Sequence, residues 1–274
     1  YKGYKLLSVL RNDSTAFEAQ LQFLENDQFY INNKYSPFVK ILNFSCSFDS
    51  NDELTLKFTD ANKTRLTLPY AAPFPYTKPG VKTEGGQTYQ FVYQENPFTV
   101  KVVRKATNET IFDLANLNFV YSDRYLEFST FLPTKHIYGL GERRQNFSYN
   151  NATYTIWPKD QYTEMDGGAG PDHQTYGHHP MYLMQEKTGN FHVVFLRNMN
   201  AMDCIISGGF KVLTYKITGG IIELKMFLGD KTPERALKAY HNYINGYTLM
   251  PFWSLGYHQS RWGYRSSKRL LDVV

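Results

Sequence analysis

From residue 4 to about 228 the chain alternates apolar and polar positions with a period of two, or runs short apolar stretches. Clear examples are "ELTLKF" (53–58), "YQFVY" (89–93), "FTVKVV" (98–103), "YLEFSTFL" (125–132), "FHVVFL" (191–196), "FKVLTYKI" (210–217) and "IIELKMFL" (221–228). A period of two puts successive side chains on opposite faces of a strand, so each run predicts a strand with one buried face. The breaks between them, "TDANKT", "AAPFPYTKPG", "KTGN" and "TGG", carry residues that turn a chain. Many such strands joined by turns predict an antiparallel β-sandwich. "KTGN" at 187–190, between two apolar runs, is the strongest hairpin signal.

The pattern changes at residue 232. "TPERALKAYHNYING" (232–246) repeats Leu237, Tyr240 and Ile244 at spacings of three and four, which predicts an amphipathic helix. Thr232 suits the N-cap, Pro233 the first turn, Glu234 the positive end of the dipole, and Gly246 the stop. After "MPFW" the stretch "WSLGYHQSRWGY" (253–264) reads as a strand feeding a loop, and "SSKRLLDVV" as the opening of a helix. Strands followed by helix, strand and helix resemble the start of a βα alternation, whose remaining units are expected in another segment or chain.

Aromatic residues make up 16% of the 274 positions, with 22 Tyr, 20 Phe and 3 Trp, a mixture that suits sheets and the gripping of flat polar ligands such as sugars. The net charge of +5 is spread over 30 basic and 25 acidic residues. "ERR" (142–144) and "RSSKR" (265–269) are the densest basic clusters, and neither makes the continuous stripe that nucleic acid requires. No run reaches the roughly 20 apolar residues of a membrane-spanning helix. The start "YKGYKLL" is what a processed secretory or lysosomal chain would show, and a trimmed one as well. Asn12, Asn43, Asn62, Asn108, Asn146 and Asn151 each begin an N-x-S/T triplet without Pro, an excess that favours a glycosylated, secreted or lysosomal protein. Cys46 and Cys204 both fall in strand-like runs and are expected as buried, unpaired thiols.

Six segments then carry a resemblance. "IYGLGER" (137–143), "IWPKD" (156–160), "TYGHHPMYL" (175–183), "NMNAMD" (198–203), "TGGIIELKMFLGDKTPE" (218–234) and "MPFWSLGYHQSRWGY" (250–264) occur in this order. Together they resemble glycoside hydrolase family 31, mainly α-glucosidases of the maltase, sucrase-isomaltase and lysosomal acid type. The likeness is weak over 1–130 and strong over about 135–264. It implies an N-terminal, galactose-mutarotase-like β-sandwich over residues 1–247, followed at 248–274 by the first strand and helix of an incomplete (β/α)8 barrel. It also implies a retaining glycosidase that needs no cofactor, acts on oligosaccharides or glucans, and keeps its two catalytic carboxylates on barrel strands outside this chain.

Retaining hydrolysis requires one carboxylate to attack the anomeric carbon and a second to protonate the leaving oxygen, about 5–5.5 Å away. No such pair is evident; Asp166 and Asp172, around "GGAG", read as turn formers. By resemblance, Asp160 of "IWPKD" lies in a sandwich loop that reaches over the barrel mouth, where an ionised carboxylate accepts hydrogen bonds from sugar hydroxyls. The Gly-rich, polar "QYTEMDGGAGPDHQ" after it suits a rim. Trp262 of "RWGY" ends the expected barrel strand, at the end where barrel sites gather, and its indole face suits a pyranose. His258 shares strand parity with Trp262, with a hydrogen-bonded buried histidine as its simpler role. Arg261 points away along the pleat toward a supporting salt bridge, and Glu142 is expected to support the site from behind.

Two other chemistries compete. Asp172, His173, His178 and His179 in "DHQTYGHH" include zinc-ligand types, but their His-x4-His spacing works mainly on a helix and the stretch is not helical, so no metal site is expected. "GLGE" (139–142) lacks the rest of a phosphate loop, and its glycines are expected to let strands approach closely. Beside an α-glucosidase stand a related α-xylosidase, a carbohydrate-binding homologue that has lost catalysis, and a structural glycoprotein without a barrel.

Overall fold

The computed structural model describes residues 3–24, 37–68, 86–114, 119–144, 147, 149–158, 173–209, 211–261 and 263–274. Sixteen strands come first in the chain among these residues. They are β1 (Tyr4–Asn12), β2 (Ala16–Phe23), β3 (Ile41–Ser47), β4 (Glu53–Asp60), β5 (Tyr89–Glu95), β6 (Phe98–Arg104), β7 (Glu109–Asp113) and β8 (Val120–Tyr121). There follow β9 (Leu126–Phe131), β10 (Ile137–Arg144), β11 (Thr153–Ile156), β12 (His173–Gln185), β13 (Phe191–Leu196), β14 (Met202–Ser207), β15 (Val212–Ile217) and β16 (Ile222–Leu228). Helix α1 (Pro233–Tyr243), a 3-10 turn (Phe252–Leu255) and a short helix α2 (Ser267–Leu271) complete the order.

The strands form an eight-stranded sheet, β1-β2-β3-β4-β16-β13-β12-β10, a five-stranded sheet, β11-β14-β15-β9-β8, and a three-stranded sheet, β5-β6-β7. Every pairing in the large sheet is antiparallel. So is every pairing in the two smaller sheets. The alternation read from the sequence is visible in β3, where Leu42, Phe44 and Cys46 are buried while Asn43 and Ser45 stay half-buried on the other face. The inner faces of all three sheets share one apolar core, which joins Phe44, Leu56 and Leu224 to Val102, Phe128 and Tyr215. Edge-to-face rings such as Phe44 and Phe98, 5.1 Å apart, cross the layer. This is the expected mainly antiparallel β-sandwich.

β16 lies centrally in the large sheet and is buried along its whole length. Ile222, Leu224, Met226 and Leu228 face the main core, while Phe227 on the other face belongs to a second cluster with Val193, Ala236 and Tyr240. Helix α1 forms the cover of that outer face, and Tyr240 meets the rings of Phe195 at 5.5 Å and Phe227 at 5.9 Å. Its expected apolar stripe is realised, with Tyr240 buried and Leu237 and Ile244 packed against the cluster. The cap differs from expectation: Thr232 makes no side-chain cap bond, and its amide and hydroxyl instead donate to Asp230 Oδ1 at 3.0 and 3.1 Å. Gly246 (φ +74°) ends the turn with its amide donating to the His241 carbonyl at 2.7 Å.

The "KTGN" hairpin is present between β12 and β13. The Gly189 amide donates to the Glu186 carbonyl at 2.9 Å with Gly189 at φ +80°, in the left-handed region that favours glycine. Cys46 and Cys204 are free and fully buried, as expected. No helix among the described residues is long and apolar enough to cross a membrane.

The described residues of 253–264 form no paired strand. They hold the last three residues of the 3-10 turn and a stretch outside any ladder. A strand is defined by the neighbour it hydrogen-bonds, and no neighbour for this stretch exists among the described residues. The parity argument for His258 and Arg261 therefore has no sheet to act on. Residues 247–257 expose Tyr247, Leu249, Met250, Phe252, Trp253, Leu255 and Tyr257, each more than half accessible and Phe252 90%. The expected helix after them is present as α2, capped by Ser266, whose hydroxyl accepts from the Arg269 amide at 3.2 Å.

Candidate functional site

Five of the six motif segments are joined to one another around the end of β11 and the start of β12. In the first pair, "IYGLGER" on β10 lies beside "TYGHHPMYL" on β12. Gly139 (φ +113°) lets the strands touch: a Cβ there would stand 2.3 Å from the Met181 carbonyl oxygen. Glu142 Oε2 accepts from the Gly177 amide at 2.7 Å, and a side chain at 177 would collide with that carboxylate. Gly139 thus serves close approach, as expected, whereas a Cβ at Gly141 would meet only the Arg143 amide nitrogen at an ordinary 3.7 Å, and Glu142 braces β12 at Gly177.

The next contact joins "TYGHHPMYL" to "NMNAMD". His178 Nε2 donates to the Asn200 carbonyl at 3.2 Å. Asn198 is the hub, its side-chain amide donating to the carbonyls of Gly219 and Ile221 at 2.8 and 2.9 Å. Its Oδ1 accepts from the amide and the side chain of Asn200 at 2.8 and 2.9 Å. Gly220 (φ +79°) has no room for a side chain, since a Cβ would stand 2.6 Å from Asn200 Nδ2. Asn198 and Asn200 were named in the sequence only as part of a motif; two asparagines two apart before a strand were the available signal for such a turn.

His179 hydrogen-bonds the Tyr240 hydroxyl through Nε2, tying β12 to helix α1. Burial lowers the His179 pKa, and the positive potential of His178 and His241 lowers it further. Trp157, directly after β11, is exposed (64%), and so are Tyr176 on β12 (61%) and Met199 (54%). Among the described residues no three His, Cys, Asp or Glu side chains gather as a metal site.

The residues singled out as sugar contacts, Asp160 and Trp262, lie outside the described residues, as do Asp166 and Asp172. His258 is exposed rather than buried; its Nε2 donates to the Ser254 carbonyl at 3.2 Å and its ring lies 5.7 Å from that of Trp253. Arg261 is exposed. Of the glycosylation asparagines, Asn12, Asn62, Asn108 and Asn151 are exposed. Asn43 is half-buried on β3, with Oδ1 3.4 Å from Gln20 Nε2, and Asn146 lies outside the described residues.

Residues 19–204 match the description "Glycosyl hydrolase 31 N-terminal galactose mutarotase-like domain". The chain belongs to glycosyl hydrolase family 31. The family 31 chain is 46% identical over 224 residues to the lysosomal acid alpha-glucosidase of Tetrahymena pyriformis, covering 81% of this chain and 24% of that protein. It is 31% identical to alpha-xylosidase 1 of Arabidopsis thaliana, covering 100% of this chain and 31% of that protein. In fold it is similar to a crystal structure of glucosidase II alpha subunit, with a TM-score of 0.76 at 15% identity, covering 100% of this chain and 37% of that one. The chain therefore spans less than a third of the length of these two curated relatives.

Proposed function

We propose that this family 31 chain is the sandwich portion, residues 1–247, of a retaining α-glucosidase that removes terminal α-linked glucose from oligosaccharides or glycogen-like glucans. Residues 248–274 begin its catalytic barrel. The observation that carries this is the 46% identity to a lysosomal acid alpha-glucosidase over four-fifths of the chain. In this reading the nucleophile and the acid/base carboxylates stand on barrel strands outside the chain, and the reaction passes through a covalent glucosyl-enzyme without a cofactor. Asp160 accepts hydrogen bonds from two sugar hydroxyls and Trp262 packs on the pyranose face, with Glu142, His258 and Arg261 supporting the pocket from behind. The exposed apolar run 247–257 is the surface that the rest of the barrel covers, since patches of this kind mark interfaces. A secretory route to a lysosome or the cell exterior accords with the six glycosylation triplets and with the relative's printed name.

The test is the complete protein on chromogenic α-glucoside and α-xyloside, with and without Asp160→Ala. The α-glucoside is expected to turn over, and the variant is expected to lose about two orders of magnitude in kcat/KM, as two charge-assisted hydrogen bonds imply. An unchanged rate and affinity in the variant would remove Asp160 from the site. The 31% identity to an α-xylosidase over the whole chain supports the second reading, which predicts the xyloside as the better substrate. Sugar binding with no turnover of either would instead identify a binding homologue.

A further inference from the structure

An open hollow of about 490 Å³ sits where three parts of the sandwich meet: the β6–β7 turn, the end of β9 and the β12–β13 turn. Its size lies within the roughly 300–1,000 Å³ of small-ligand sites. Phe131 is 42% exposed on one wall, with Pro133 beside it. The facing wall is fixed, because the Glu109 carboxylate accepts from the Thr188 amide at 3.1 Å and from its hydroxyl at 2.8 Å. On the rim stands Asn108, exposed at φ +54° in the turn and first residue of the triplet Asn108-Glu109-Thr110.

We propose that Asn108 carries an N-linked glycan whose first N-acetylglucosamine lies in this hollow, its C–H face on Phe131 and Pro133. The proposal rests on the secretory route given above. In the transfer, Asn108 Nδ2 attacks the anomeric carbon of a polyprenyl-diphosphate oligosaccharide; the N–C bond forms, the C–O bond to the diphosphate breaks, and one Nδ2 proton is lost. A saccharide face on an aromatic ring is a weak contact for free sugar. Tethering changes that, because a short link holds the sugar at an effective concentration in the millimolar range or above. The seated sugar then bridges the three-stranded and five-stranded sheets at their seam. Asn62 gives the contrast. It lines a hollow of about 390 Å³ without an aromatic wall, whose cations are already paired, Lys63 with Asp123 at 2.7 Å and Arg65 with Asp60 at 3.3 Å. A glycan there has nothing to rest on.

The experiment secretes the complete protein from a glycosylating eukaryotic host, maps occupancy by glycopeptide mass spectrometry, and compares thermal unfolding of wild type, Asn108→Gln, Phe131→Ser and the double variant, with Asn62→Gln as control. Expected are an occupied Asn108, a Tm about 2–4 °C lower in Asn108→Gln, no such drop in Asn62→Gln, and no further drop when Asn108→Gln is added to Phe131→Ser. Should Phe131→Ser not fold, enzymatic glycan release from the native protein decides, with Asn108 expected about fivefold slower than Asn62. Occupancy at other triplets with Asn108 empty overturns the inference and leaves the secretory route standing. Empty triplets throughout overturn both. Occupancy with equal release rates or simple additivity overturns the seating on Phe131.

Discussion

Glu186 offers a quantitative test of what joins the small sheet to the large one. It follows β12 directly and is 2% exposed, yet it accepts from Arg104 Nε at 2.8 Å, from Arg104 Nη2 at 2.6 Å and from His192 Nδ1 at 3.0 Å. Arg104, at the end of β6, is completed by the carbonyls of Gly229 at 3.0 Å and Phe191 at 3.2 Å. Burial pushes the Glu186 pKa up, but the hydrogen bonds from His192 and Arg104 and their positive charge outweigh it and hold it at about 2 against an ordinary 4.5. A folded-state pKa below the unfolded one stabilises the fold above the unfolded value and loses that contribution as pH falls through the folded one. The difference corresponds to about 3 kcal/mol at neutral pH, of which about 2 kcal/mol is gone by about pH 3. Glu186→Gln keeps the shape and removes the charge, leaving Arg104 buried without its counter-ion. Urea unfolding at pH 7 should show the variant about 3 kcal/mol less stable, a size consistent with breaking a buried pair. The gap should shrink to about 1 kcal/mol near pH 3 as wild type loses the same interaction by protonation. A gap that stays constant between the two pH values, or one below about 1 kcal/mol at pH 7, would refute the argument.

Two further outcomes follow from the motif end. Gly139→Ala should destabilise by more than about 3 kcal/mol or abolish folding, because φ +113° is closed to other residues and the new methyl would meet the Met181 carbonyl at 2.3 Å; soluble yield and Tm check it. His179 has a lowered pKa, so its contribution is complete above the unfolded value of 6.5 and fades as pH falls through the folded one; amide-exchange protection in 233–243, relative to the intrinsic rate at each pH, should fall on acidification, and His179→Gln should flatten that dependence.

The architecture was legible where one residue's pattern is set by its immediate neighbours. Period-two runs gave strands with a buried inner face, Lys187-Thr188-Gly189-Asn190 gave its hairpin, and the 3.6 repeat of Leu237, Tyr240 and Ile244 gave helix α1. The misses depend on distant partners. Lys225 sits in "IELKMFL" at a position that alternation assigns to water, but helix α1 covers that face. The lysine is 1% exposed, between Asp49 at 2.7 Å and Glu53 at 3.3 Å. Arg104, Glu186 and His192 are likewise polar letters in separate segments, and nothing local announces that they meet. Residues 253–264 have the composition of a strand, but a ladder needs a second chain segment, and composition cannot supply one. At the candidate site, Gly139 of "GLGE" foretold the approach of β10 to β12, whereas the hydrogen bond from the Gly177 amide to Glu142 and the Asn198 hub, which joins residues about twenty apart, emerge only from the fold. Asp160 and Trp262, the two sugar contacts expected from the resemblance, lie outside the described residues.

The place of β16 has a bearing on how the chain comes into being. It is the last strand in order among the described residues and the one that zips the halves of the large sheet together, with Ile222 opposite Phe58 on one side and Leu228 opposite His192 on the other. During synthesis the open edge of β4 must wait for that segment, more than 160 residues later, to leave the ribosome. Contacts so remote in sequence close slowly. A newborn chain paused before residue 222 presents two half-sheets with bare rims, and keeping those rims from foreign strands falls to whatever attends it on its way out.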